Sequence, residues 1–314
     1  MIGFITKRLL TAVVVLAIVS LISFSLMQLV PGDPAVVLAG VGATADQVEA
    51  IRQAYGLDMP LPVQIGRWYL GLLHGDLGRS VLMGSPVTQV IAERLPATLS
   101  LTAIAFAISL VVGIAGGILA ALNQDRWFDR FILASSAFGL SIPSFWLAIL
   151  LIIVFSVNLT WLPAGGYVPL GRDPLGWAMS MILPAFSLAL LQIGYLARIT
   201  RTALVDVLSQ DYIRTAVAKG IPHWRVVTRH AVRNALIPVV TVVGIIFSLM
   251  LSGSVVIETV FSIPGLGRLM SSAIMSRDYP VIQGTLLVTA AAFSLINLLV
   301  DIIYAVVDPR VKYD

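Results

Sequence analysis

Charged residues are spaced so that six stretches carry none for more than 20 residues: Leu9–Gly32, Leu95–Gln124, Phe131–Gly171, Pro174–Ala197, Asn234–Ile257 and Tyr279–Val300. A helix needs about 20 predominantly apolar residues to cross about 30 Å of hydrocarbon. Each run is therefore long enough for a span. Backbone in lipid must satisfy its own hydrogen bonds, and runs this continuous read as helices rather than barrel strands. The third run is 41 residues long, but its second half, NLTWLPAGGYVPLG, is rich in Pro and Gly and too polar for a span. It reads as one span plus a loop. The expectation is an all-α membrane protein with six transmembrane helices.

Composition closes the other routes. The chain is 58% hydrophobic and only 11% charged, with a mean hydropathy of +0.96. An ordinary soluble domain is about 25% charged. A soluble fold, a disordered chain and a nucleic-acid binder are excluded as first readings. The net charge is only +4, so the basic pI gives no argument for nucleic acid. With no cysteine there is no disulfide framework, thiolate metal site or Cys nucleophile.

Basic residues orient the spans. With the N-terminus inside, the inner segments hold 13 of the 20 Lys and Arg, among them Lys7, Arg126, Arg130, Arg198, Arg201, Arg225 and Arg229. This predicts N- and C-termini both cytoplasmic. The first apolar run is longer than the core of a signal peptide and is followed by Pro31 and Pro34, so it is expected to remain as a span.

Residues 31–94 form the largest outer segment. Thr44 and Gln47 make a capping box, with Val48, Ile51 and Tyr55 on one helical face beyond it. After Pro60 and Pro62, residues Ile65, Trp68, Tyr69, Leu72 and Leu73 form one apolar stripe. Two readings stay open: helices lying at the lipid interface, or an outer cap that meets a partner protein.

The inner segment around 204–234 is longer than the other inner segments. Residues 206–218 suit a short helix; Gly220 permits a turn and Pro222 starts a new helix. Arg225, Arg229 and Arg233 then follow at four-residue spacing as a basic stripe. Anchoring to anionic lipid explains the stripe alone. A helix–Gly–Pro–helix element is more structure than anchoring needs, and suggests docking in the cytoplasm.

At this loop, DYIRTAVAKG…RHAVRNALIPVV, the sequence resembles permeases of the dipeptide/oligopeptide type of ABC importer, the group that includes nickel and opine systems. The likeness extends through LVPGDPA (29–35), YGLDMPLPVQ (55–64), GDLGRS (75–80), RLPATLSLT (94–102), SIPSFW (141–146), VFSIPGLGRLM (260–270), RDYPVIQG (277–284) and NLLVDIIYAVVDPRVKY (297–313). The PGDP string and the long outer segment favour the first of the two permease subunits such systems usually carry. In the wider importer group the loop motif reads Glu-Ala-Ala, three residues, Gly, then Ile-x-Leu-Pro. Here Gly220 matches, Thr215 and Ala216 stand at the two Ala positions, Arg214 replaces the Glu, and Ile237-Pro238 lies displaced from the Leu-Pro position.

The resemblance implies a type I ABC importer permease fold in the bacterial cytoplasmic (inner) membrane. It implies four regions: a tail and first helix (1–30), an extracytoplasmic helical segment (31–97), a five-helix core with a coupling loop (98–308), and a cytoplasmic tail (309–314). The coupling loop would insert into an ATPase subunit through Thr215, Ala216, Ala218, Lys219 and Gly220, flanked by Arg214 and Arg225. The implied partners are a second, related permease, two ATPases, an extracytoplasmic solute-binding protein and membrane lipid. Short peptides are the expected substrate, with nickel, glutathione, opine or another small solute as the alternative.

Several chemistries have no residues to carry them. None of the three lysines closes a GxxxxGK[ST] phosphate loop, and HExxH and GxSxG are absent. No catalytic, cofactor-binding or metal site is expected on this chain; ATP and Mg would sit on partner subunits. Glu258 and Asp301, within or bordering spans, are costly in lipid. They are expected to snorkel or pair, Asp301 with Arg310 or a loop arginine, rather than to form a dyad. A stand-alone secondary transporter would need internal repeats or coupling groups that are not evident. Gly113, Gly116, Gly117 and Ala120 give the second span a small-residue face, for helix contact or for room in a pathway. Pro143, Pro184 and Pro238 would kink their helices.

Overall fold

The computed structural model describes residues 2–29, 33–40 and 42–307. All regular elements among them are helical: α1 (Ile2–Leu29), α2 (Pro34–Ala39), α3 (Ala45–Ala54), α4 (Leu61–Leu73), α5 (Val87–Leu122), α6 (Trp127–Ser141), α7 (Ser144–Leu151), α8 (Pro174–Leu208), α9 (Asp211–Ala218), α10 (His223–Arg225), α11 (Arg233–Val260), α12 (Leu266–Ser276) and α13 (Tyr279–Val307). Two π-helical segments extend this set. Ile152–Asn158 continues α7, and Val226–Val232 joins α10 to α11. Among the described residues an isolated bridge pairs Arg79 with Pro86.

Among the described residues, five helices are long and apolar enough to cross a membrane. They correspond to five of the six charge-free runs. The third run differs: it folds as two helices, Trp127–Ser141 and Ser144–Asn158, bent by 101° at the break. Pro143 is the residue before α7, in an extended conformation, and lacks the N–H that would continue the ladder from α6. The pair makes a sixth span if taken as one. The Pro- and Gly-rich half of the run is irregular, as expected. Pro184 and Pro238 lie inside α8 and α11, and Pro96 inside α5.

Contacts divide the chain into two compact units. The first comprises Met1–Pro96 and Gly265–Leu295. Its core gathers Val87, Val90, Ile91, Leu266, Leu269, Ala273 and Val281. The capping box forms at α3: Gln47 N–H donates to Thr44 Oγ1 at 3.4 Å and Thr44 N–H to Gln47 Oε1 at 2.9 Å. Arg52 of α3 pairs with Asp33, the residue capping α2. Tyr69 of α4 reaches α1, its hydroxyl lying 2.8 Å from Ser20 Oγ. Buried Asp278 accepts from Ser80 Oγ at 2.6 Å and ties down the turn before α5.

The second unit comprises Ala97–Pro264 and Ile296–Asp314. A core from Ala97 to Ile263 includes Leu101, Met181, Leu196, Ile246, Met250 and Phe261. The small-residue face of α5 resolves as helix contact. A Cβ at Gly117 would lie 2.6 Å from the Ala197 carbonyl oxygen, and one at Gly113 would lie 2.9 Å from Leu196 Cβ. Both partners belong to α8, so α5 and α8 approach nearly backbone to backbone.

Candidate coupling site

The loop 209–232 folds as an elbow. Thr215 Oγ1 donates to the Asp211 carbonyl at 2.9 Å, and Arg214 pairs with Asp211 at 3.5 Å in the first turn of α9. The helix ends in a Schellman motif. Ile221 N–H donates to the Ala216 carbonyl at 3.3 Å, and Gly220 N–H to Val217 at 2.9 Å. Gly220 takes φ +74°, which an L side chain adopts only at a cost. Pro222 follows as the residue before α10.

One face of the elbow is sealed. Ile213 and Ala216 are buried with Leu204, Val226, Ala231 and Ala235, and Ile221 packs against the same cluster. The other face is open. Arg214, Thr215, Ala218, Lys219, Gly220 and Arg225 are exposed. Three large side chains stand among them: Tyr212 is 44%, Val217 54% and Trp224 62% exposed. Nothing lies within 4 Å of a Cβ built on Gly220. The Arg225 guanidinium sits 5.0 Å from the Trp224 ring, and Asn234 Nδ2 donates to the Tyr212 hydroxyl at 2.9 Å.

The expected docking residues thus divide. Arg214, Thr215, Ala218, Lys219, Gly220 and Arg225 share the open side, while Ala216 is turned inward. Tyr212, Val217 and Trp224 were not singled out from the sequence. Large apolar residues inside a basic loop were the available signal. Arg225, Arg229 and Arg233 are all exposed, although the segment between them is π-helical rather than α-helical.

Glu258, at the end of α11, is fully buried and accepts from Thr98 Oγ1 at 2.6 Å. Thr98 is on α5, so the carboxylate ties two helices of this unit. Asp301 lies on α13, and its side chain and that of Arg310 fall outside the described residues. Among the described residues no three His, Asp or Glu side chains gather as a metal site. An apolar cavity of about 450 Å³ opens in the second unit between α5, α7 and α8, walled by Ile104, Phe155, Trp177, Met181 and Phe186. It has no charged wall that would position a reacting group.

Residues 113–313 match the family described as the binding-protein-dependent transport system inner membrane component, and residues 1–102 match the N-terminal region of such membrane components. The chain belongs to this family. It is an integral inner-membrane permease. A Brucella abortus protein named as a candidate permease of a peptide transport system is 54% identical over 314 residues, all of both chains. The glutathione transport system permease GsiC of Escherichia coli K12 is 44% identical over 313 residues, again all of both. A chain of the MetNI methionine ABC transporter, solved in an inward-facing conformation, superposes with TM-score 0.58 at 19% identity, over 70% of this permease and 97% of that chain. The last likeness is one of fold.

Proposed function

We propose that this permease forms half of the translocation pathway of an ATP-driven importer for short peptides. The full-length identity to a peptide-system relative supports the substrate class. Glutathione, itself a tripeptide, is the alternative, supported by the likeness to GsiC. The remaining parts are a second, related permease, two ATPases and an extracytoplasmic solute-binding protein. The inward bias of basic residues supports N- and C-termini in the cytoplasm.

The observation that carries the mechanism is the open face of the α9–Gly220–α10 elbow. The elbow exposes Tyr212, Val217 and Trp224 together with Arg214, Lys219 and Arg225, a mixture of apolar anchors and polar groups of the kind interfaces carry. On this reading the elbow sits in a groove of an ATPase. ATP and Mg bind on that subunit, and the permease needs no cofactor of its own. Closure of the two ATPases pushes a short rigid helix, which transmits rigid-body motion better than a flexible loop. The pathway helices then tilt between inward- and outward-facing states.

The test is uptake by the reconstituted complex in vesicles loaded with ATP. Labelled di- and tripeptides are expected to enter only with ATP and binding protein present, and unlabelled glutathione to compete weakly. Uptake by the permease alone down an ion gradient would contradict the reading.

A further inference from the structure

Asp129 and Arg201 are 72 positions apart and meet as a buried two-toothed ion pair. Arg201 Nε donates to Asp129 Oδ1 at 2.9 Å and a terminal guanidinium nitrogen to Oδ2 at 2.6 Å. The Asp129 side chain is 2% exposed and that of Arg201 19%. A third donor completes the clamp: the backbone N–H of Asp125, held at φ +62°, reaches Asp129 Oδ2 at 3.0 Å. Taking a carboxylate wholly and a guanidinium mostly out of water is a poor way to gain stability, since desolvation offsets much of the attraction. Separation of such a pair is worse, because each charge is left uncompensated.

The pair closes one end of a longer seam. A Cβ on Gly194 would fall 2.9 Å from the Ser136 carbonyl oxygen, and Gly139 lies against Leu190. Contacts at 129/201, 136/194 and 139/190 make α6 antiparallel to α8 and joined to it along its length. Arg201 stands about 10 Å of helix before the end of α8, and two residues separate that end from α9 of the elbow. At its other end α6 turns through 101° into α7, which lines the apolar cavity with α8.

We infer that Asp129 and Arg201 are positioning residues for transport, clamping α6 to α8 so that the two move as one lever when the elbow is displaced. The clamp stays shut through the cycle: three hydrogen bonds hold a carboxylate that is itself out of solvent. This rests on the docking reading above, which supplies the displacement.

The test uses the assembled complex in proteoliposomes, with ATP hydrolysis and dipeptide uptake measured together. Asp129→Asn and Arg201→Met leave the elbow untouched and are expected to copurify with the ATPases. Uptake per ATP hydrolysed is expected to fall about tenfold in each. Arg201→Lys keeps the charge and one hydrogen bond to Asp129, and leaves the Asp125 N–H its acceptor; it is expected to retain most of that ratio. An unchanged ratio in Asp129→Asn and Arg201→Met overturns the inference, and so does an Arg201→Lys variant that assembles but is as uncoupled as Arg201→Met. Loss of ATPase copurification from an elbow variant instead bears on docking alone, which keeps the two claims separable.

Discussion

Ile221 donates its backbone N–H to the carbonyl of Ala216 at 3.3 Å, so the chain leaves α9 through a closed six-residue turn rather than a loose loop. The same turn tucks Ile221 against the cluster that buries Ala216 and Ile213. The fold itself thereby sets the direction in which Tyr212, Val217 and Lys219 face. Pre-ordering of this kind lowers the entropic cost of binding a partner.

The turn depends on Gly220. At φ +74° an alanine costs about 1–2 kcal/mol, but it meets no neighbour. Gly220→Ala is therefore expected to lower the melting temperature of the detergent-solubilised permease slightly and to keep the ATPase bound. Gly220→Trp places bulk on the open face. It is expected to abolish ATPase copurification and uptake while the chain still inserts.

Close packing of α5 on α8 makes a sharper stability prediction. Gly117→Val drives methyl groups into the Ala197 carbonyl and Thr200, and overpacking of this kind costs about 1–3 kcal/mol. Gly116→Ala, whose Cβ would sit 3.9 Å from Ala197 Cβ, is expected to be neutral. Thermal unfolding of the two variants side by side gives the comparison.

Glu258 supplies a third prediction. Thr98→Val removes a 2.6 Å hydrogen bond to a buried carboxyl group. Removing one partner of a buried polar group costs about 1–3 kcal/mol, and a loss of that size is expected in thermal unfolding. Thr98→Ser keeps the hydroxyl and is expected to retain most of the stability.

Much of the architecture follows from charge spacing alone, because lipid tolerates so few charges that their gaps mark the spans. The capping box at Thr44 and the Gly220–Pro222 break are local and equally readable. The 101° bend was not. The first half of the third run is mostly apolar, so no periodicity shows where α6 ends, and Pro143 gives a break without a direction. Ala216 and Ala218 show the same limit at the site: two identical side chains, one buried and one exposed, carry no sequence signal for which faces in. Arg201 read as one more inward-biasing arginine because Asp129, its partner, is 72 residues away. Long-range pairing is a property of the packed helices.

Trp224 and Tyr212 are expected to contribute more to ATPase binding than the arginines around them, since buried aromatics dominate interface energetics. Trp224→Ala is expected to weaken association by about 2 kcal/mol when titrated against purified ATPase. Leu73→Ala, at an 82% exposed position on α4, is expected to leave it unchanged.

The most direct measurement starts from a chain that has no cysteine. Single cysteines at Val217, Trp224 and, as control, Leu73 can carry a short photoactivatable cross-linker in the assembled, transport-active complex. Adducts with the ATPase from positions 217 and 224, and none from 73, are the predicted result. An active complex that gives no ATPase adduct from either elbow position would contradict the account.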